Sequence, residues 1–105
     1  MRPIIPKQKM NKTEAAYERE LDVLKKAGEV LDYRFEGVKL RLADNTFYTP
    51  DFFVTYPDRF EVHEVKGFWR DDARVKIKIA AEMYPFFKFR AVQLKKRQWV
   101  TEEIN

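Results

Sequence analysis

Asp51, Glu64 and Lys66 are the residues of this chain whose types and spacing point to chemistry. They fall in "TPDFFVTYPDRFEVHEVKG", residues 49–67, which reads as two β-strands joined at a Pro57-Asp58-Arg59 turn. Side chains alternate along a strand, so Glu64 and Lys66 share one face and Val65 takes the other. With the hairpin in register near its turn, Asp51 comes within a few residues of Glu64 across the ladder, close enough for both carboxylates to hold one ion. A hard cation such as Mg²⁺ is bound through one or two carboxylates plus waters and phosphate oxygens, and it makes water a nucleophile at neutral pH. A lysine alongside can position or deprotonate that water and offset the charge of a pentavalent phosphate. Two carboxylates and a lysine are thus a minimal set for phosphodiester hydrolysis. A plainer alternative makes Glu64 and Lys66 an exposed strand face and Asp51, after Pro50, a turn residue. The aromatic surroundings "FYTPDFFVTY", and Gly67 freeing the backbone beside Lys66, favour the site.

Two further groups border this set. On a helix through "ARVKIKIAAEMY", Lys76 falls inside the apolar arc formed by Ala73, Val75, Ile77, Ile79, Ala80, Ala81, Met83 and Tyr84. It either reaches a scissile phosphate as an auxiliary cation or snorkels at the sheet edge. Glu14, near the start of the first helix, is either a third metal carboxylate or the partner of Asn11 in a capping box. Glu20 sits within the apolar arc of that helix and suits a buried Arg or Lys. His63 alternates away from Glu64 and reads as a packed or surface histidine, while Phe68 and Trp69 either stack on a base or cover the core.

The elements that must hold these residues follow from periodicity and punctuation. Residues 1–10, with two prolines and scattered Lys, read as a flexible basic arm, and 11–105 as one domain. Asn11 as N-cap, Glu14 three residues on and Gly28 as a stop bound a helix of about four turns. Leu31, Tyr33 and Phe35 alternate, as do Val38, Leu40 and Leu42, with Gly37 shifting the phase. An Asp44-Asn45 turn makes residues 38–42 and 47–56 a hairpin, and "FEVHEVKG" the next strand. Asp72 is the expected N-cap of the second helix, Pro85 its stop, and "FFKFRAVQL" a last strand before a short basic tail. The order α-β-β-β-α-β predicts an α/β fold with a central mixed four-stranded sheet flanked by helices.

Composition narrows the classes. At 105 residues, 45% hydrophobic and 15% aromatic, the chain is one folded domain. The absence of cysteine excludes disulfides and thiolate chemistry, and a single histidine argues against His-rich metal sites. No run is long and apolar enough for a membrane span, which predicts a soluble cytoplasmic protein. The net charge of +4 suits a polyanionic partner, and both "RPIIPKQKMNK" and "KFRAVQLKKRQ" lack acids.

"YTPDF" followed by "HEVKGFWRDDARVK", together with "NKTEAAYERELDVLKKAGE", resembles the phage endonuclease I group of Holliday-junction-resolving enzymes within the PD-(D/E)XK nuclease superfamily. The resemblance spans residues 11 to 92. It implies a restriction-endonuclease-like fold, with Asp51, Glu64, Glu14 and the main-chain carbonyl of Val65 ligating Mg²⁺ or Mn²⁺ and Lys66 as catalytic lysine. It further implies branched or four-way DNA as substrate, a role in recombination, a homodimer and a host cytoplasm if phage-encoded. The long C-terminal extension of the phage enzyme is missing, and the segment before Asp51, where that enzyme exchanges elements between subunits, differs. A general or sequence-specific duplex nuclease, or an inactive DNA-binding module, would share the fold.

Overall fold

The computed structural model describes residues 10–67 and 71–105, so residues 1–9 of the N-terminal arm, Phe68 and Trp69 lie outside the described residues. Helix α1, Lys12–Lys26, opens on the expected capping box. Asn11 Oδ1 accepts from the Glu14 N–H at 2.7 Å and Glu14 Oε1 accepts from the Asn11 N–H at 2.9 Å. The helix stops as expected at Gly28, where φ is +83°. There the Gly28 N–H donates to Lys25 O and the Glu29 N–H to Leu24 O, the paired bonds of a Schellman cap.

Strand β1, Asp32–Phe35, is followed by a small hairpin of β2, Leu40–Ala43, and β3, Thr46–Tyr48. Next come β4, Phe52–Thr55, β5, Phe60–Val65, helix α2, Asp71–Met83, and then β6, Lys88–Lys95, and β7, Gln98–Glu103. The main sheet has five strands in the order β1-β4-β5-β6-β7, and β2-β3 form a separate two-stranded sheet. Among the described residues only β5 and β6 pair in parallel, joined by the α2 crossover. The fold is a single-domain α/β arrangement, but the expected four-stranded sheet is corrected to five strands plus a hairpin.

Two corrections account for the difference. The expected strand over residues 47–56 is broken at Thr49-Pro50-Asp51, leaving β3 in one sheet and β4 in the other. Pro50 has no N–H to donate to a ladder and restricts Thr49 before it, so the strand cannot run through. The expected basic tail instead forms β7, paired with β6 from Lys95↔Gln98 to Arg90↔Glu103 through a turn at Lys96-Arg97. Both turn residues have positive φ, 49° and 63°, the conformation of a type I′ turn.

Alternation along the strands splits the core in two. Phe52, Val54, Val65 and Val92 pack with Tyr17, Leu21 and Val30 on the α1 side. Val62 and Phe89 pack with Ile77, Ala80 and Ala81 of α2 and with Leu40 and Tyr48 of the hairpin. The hairpin is held across α2 by Tyr84, whose hydroxyl donates to Arg41 O at 2.7 Å. The apolar arc expected on α2 is only partly buried, since Val75, Ile79 and Met83 are exposed. Asp72, expected as the N-cap, lies inside the helix. No helix of the described residues is long and apolar enough to cross a membrane.

Candidate active site

The β4–β5 register pairs Phe52 with His63, so Asp51, one residue before β4, falls beside Glu64 as the sequence predicts. Their backbones and side chains then clasp each other. The Asp51 N–H donates to Glu64 Oε1 at 3.1 Å, and the Val65 N–H donates to Asp51 Oδ2 at 2.8 Å. The Asp51 carboxylate thus stands where a ladder carbonyl would otherwise accept, continuing the sheet with a side chain. Glu64 is buried, and its second oxygen, Oε2, pairs with Lys66 Nζ at 3.2 Å. Lys66, just past β5, donates its own N–H to Val92 O of β6, which fixes the backbone beneath the pair.

Burial, the nearby charge of Glu64, and both the charge and a side-chain hydrogen bond of Glu14 raise the Asp51 carboxyl to about 8, against the opposing Val65 N–H. Glu14 closes the capping box of α1, one of the two roles that the sequence left open, and also bears on Asp51. Three carboxyl groups gather at one end of the sheet, and that of Asp51 is pushed to hold a proton near neutrality. Their chemical type fits a hard divalent ion, although among the described residues no three acidic or imidazole groups stand at the spacing of ligands on one ion. Val65 contributes its N–H to Asp51 and faces the α1 core with its side chain.

Lys76 reaches the same place from α2. A cavity of about 260 Å³ is lined by Phe47, Tyr48, Thr49, Glu64, Lys66, Asp72, Ala73 and Lys76. Two lysines therefore line the cavity beside the buried Glu64 carboxylate. Because β5 and β6 run parallel with Val65 opposite Val92, the continuation of β6 carries Lys95, Lys96 and Arg97 past this same end of the sheet. The Gln93 side chain ties that extension to Gly67 O.

A larger cleft, about 440 Å³, opens on the α1 side and includes Tyr17, Glu20, Arg59, Glu61, His63 and Arg90. Its floor is a buried network that the sequence did not announce. Glu61 accepts from His63 Nε2 at 2.8 Å and from Arg59 Nε at 2.5 Å, while His63 Nδ1 meets the Tyr17 hydroxyl at 2.7 Å. Burial raises the Glu61 carboxyl, but the hydrogen bonds from His63 and Arg59 outweigh it and hold it at about 2. Every polar group on this floor is matched, the pattern of a structural network. His63 is therefore the packed histidine of the two possibilities, on the face opposite Glu64. Glu20 is exposed at the rim of this cleft, outside the core in which its apolar-arc position would place it.

Tyr48 is the site residue that the sequence did not single out. It lines the Glu64 cavity from the hairpin, and its one sequence signal is its place three residues before Asp51 in "YTPD". Comparison with protein-family models, curated proteins and solved structures gives no match for this chain.

Proposed function

We propose that the protein is a divalent-metal-dependent endodeoxyribonuclease of restriction-endonuclease-like architecture, acting on branched or four-way DNA. The observation that carries this reading is the half-buried Asp51–Glu64 clasp with Lys66 and Lys76 in the cavity beside Glu64. Asp51 and Glu64 would hold Mg²⁺ or Mn²⁺, with Glu14 and the Val65 carbonyl completing the donor set. Such an ion supplies Lewis acidity toward a phosphate oxygen and lowers the pKa of water.

The chain's own groups do the rest. Lys66 Nζ, 3.2 Å from Glu64, would orient the attacking water as an ammonium donor, the water's proton passing to solvent and solvent protonating the departing sugar oxygen. Lys76 balances charge on a non-bridging phosphate oxygen as a bond forms from the water oxygen to phosphorus and the bond to the sugar oxygen breaks. The basic turn at Lys95, Lys96 and Arg97 contacts flanking phosphates without reading sequence. Cutting both strands of a junction would take two such sites, hence a symmetric dimer.

A second reading has its own support. Both Glu64 oxygens and one Asp51 oxygen are already matched within the chain, as in a purely structural clasp of a DNA-binding module. Asp51→Asn and Glu64→Gln separate the two. The nuclease reading expects each variant to lose at least about 100-fold in Mg²⁺-dependent cleavage while DNA affinity holds or improves. Cleavage at the wild-type rate by either variant would remove the site assignment.

A further inference from the structure

Strand β7 is an edge of the main sheet: among the described residues it pairs with β6 alone. The two-residue turn at Lys96-Arg97 makes Lys95 and Gln98 a hydrogen-bonded pair. The N–H and C=O groups of Gln98, Val100 and Glu102 therefore point at β6, and those of Trp99, Thr101 and Glu103 point outward. The Ile104 N–H, which donates to Phe89 O at 2.9 Å, keeps the same alternation past the end of the strand. Few of the devices that blunt such an edge are present. The register runs without a bulge from Lys95↔Gln98 to Arg90↔Glu103, and β7 holds no proline and no lysine. The opposite edge, β1, has only four residues, and its Asp32 is tied to Arg34 and Lys25.

Only outward groups can pair with a second β7, so an antiparallel copy has few registers open to it. In the register centred on Val100, Trp99 and Thr101 of one strand exchange backbone bonds with Thr101 and Trp99 of the other. The axis then brings together two Val100 side chains, each 45% exposed in the single chain. The same register sets Gln98 opposite Glu102 and Arg97 opposite Glu103, so that an amide donor and a guanidinium each face a carboxylate. A shift of two residues, onto Thr101, would set Val100 against Glu102 and lose both matches. The run "KKRQWVTEE", basic at its start and acidic at its end, is complementary to its own reverse.

We infer that β7 is a self-association surface, on which a second copy of this chain adds its own β7 antiparallel about Val100 and continues the sheet across a two-fold axis. The two cuts proposed above call for such a pair, but the inference stands on the strand edge alone. One pair of six-residue strands covers less than the roughly 1,200 Å² of a standard interface, so the dimer is a weak one, half-formed at about 10–100 μM.

The test is sedimentation velocity of the protein without DNA or metal, from about 1 μM to about 300 μM, a range that brackets that affinity. The wild type should pass from monomer to dimer across it. As it does, the amides of Trp99, Thr101 and Glu103 should gain protection from hydrogen exchange, while those of Gln98, Val100 and Glu102 are protected throughout. Val100→Lys sets two like charges on the axis, and Thr101→Pro removes an outward N–H where an edge strand tolerates proline. Each should weaken the dimer at least about 10-fold, and Val100→Lys should melt at dilution within a few degrees of the wild type. A wild type that stays monomeric throughout would overturn the inference. So would a dimer that Val100→Lys leaves unchanged, or one whose new exchange protection falls outside β7. None of these results bears on whether Asp51 and Glu64 support cleavage, which is read separately.

Discussion

Burial first, then the negative charges of Glu64 and Glu14, push the Asp51 carboxyl up to about 8 although it accepts the Val65 N–H. In an unfolded chain an aspartate titrates at about 4. The metal-free folded protein therefore keeps a proton that the unfolded chain gives up between about pH 4 and pH 8, and its stability falls as the pH rises through that window. In EDTA, the melting temperature should drop from pH 5 to pH 8.5. Asp51→Asn, which still offers an oxygen to Val65, should remove most of that drop. A flat wild-type profile would contradict the acidic cluster. At this scale the sequence was legible where a turn fixes register: Pro57-Asp58-Arg59 sets β4 against β5, and Asp51 beside Glu64 follows. Tyr48 was not legible, because its burial depends on a hairpin folding across α2, which no local pattern encodes.

Local punctuation carried much of the element scale. Asn11 with Glu14 starts α1 and Gly28 stops it, each through backbone bonds that the residue types predict. The break at Pro50 was misread because the aromatic run on either side of it alternates as one strand would, although its halves join different sheets. Strand β7 was misread because its turn, Lys96-Arg97, has none of the Gly, Asn or Asp that positive φ usually requires. Left-handed backbone costs an L-residue roughly 1–2 kcal/mol, so replacing Lys96-Arg97 by Asn-Gly should stabilise the protein by about 1 kcal/mol in urea unfolding. The same change removes two cations from the end of the sheet that carries Lys66. DNA affinity should fall and its salt dependence flatten. A variant that is more stable and binds DNA as before would show that the turn is not a phosphate contact.

The molecule as a whole is asymmetric in the direction of its strands. The C-terminal ends of the parallel pair β5 and β6 carry Glu64, Lys66 and the basic turn, and α2 begins at the same end with Asp72, Ala73 and Lys76 lining the cavity. The matched network of Tyr17, Glu61 and His63 stiffens the opposite face of β5. A rigid strand with acids clasped on one face and a satisfied network on the other suits a site that must hold its geometry under an anionic substrate. In the proposed nuclease, a net charge of +4 would draw such a substrate in and Lys66 and Lys76 would meet it. The most direct measurement is cleavage by the wild type in Mg²⁺ of a four-way junction, a nicked duplex and a linear duplex, with Lys66→Ala alongside. Paired symmetric cuts in the junction, lost in Lys66→Ala, are the predicted result. Tight binding of all three substrates with no cut in either Mg²⁺ or Mn²⁺ would contradict it.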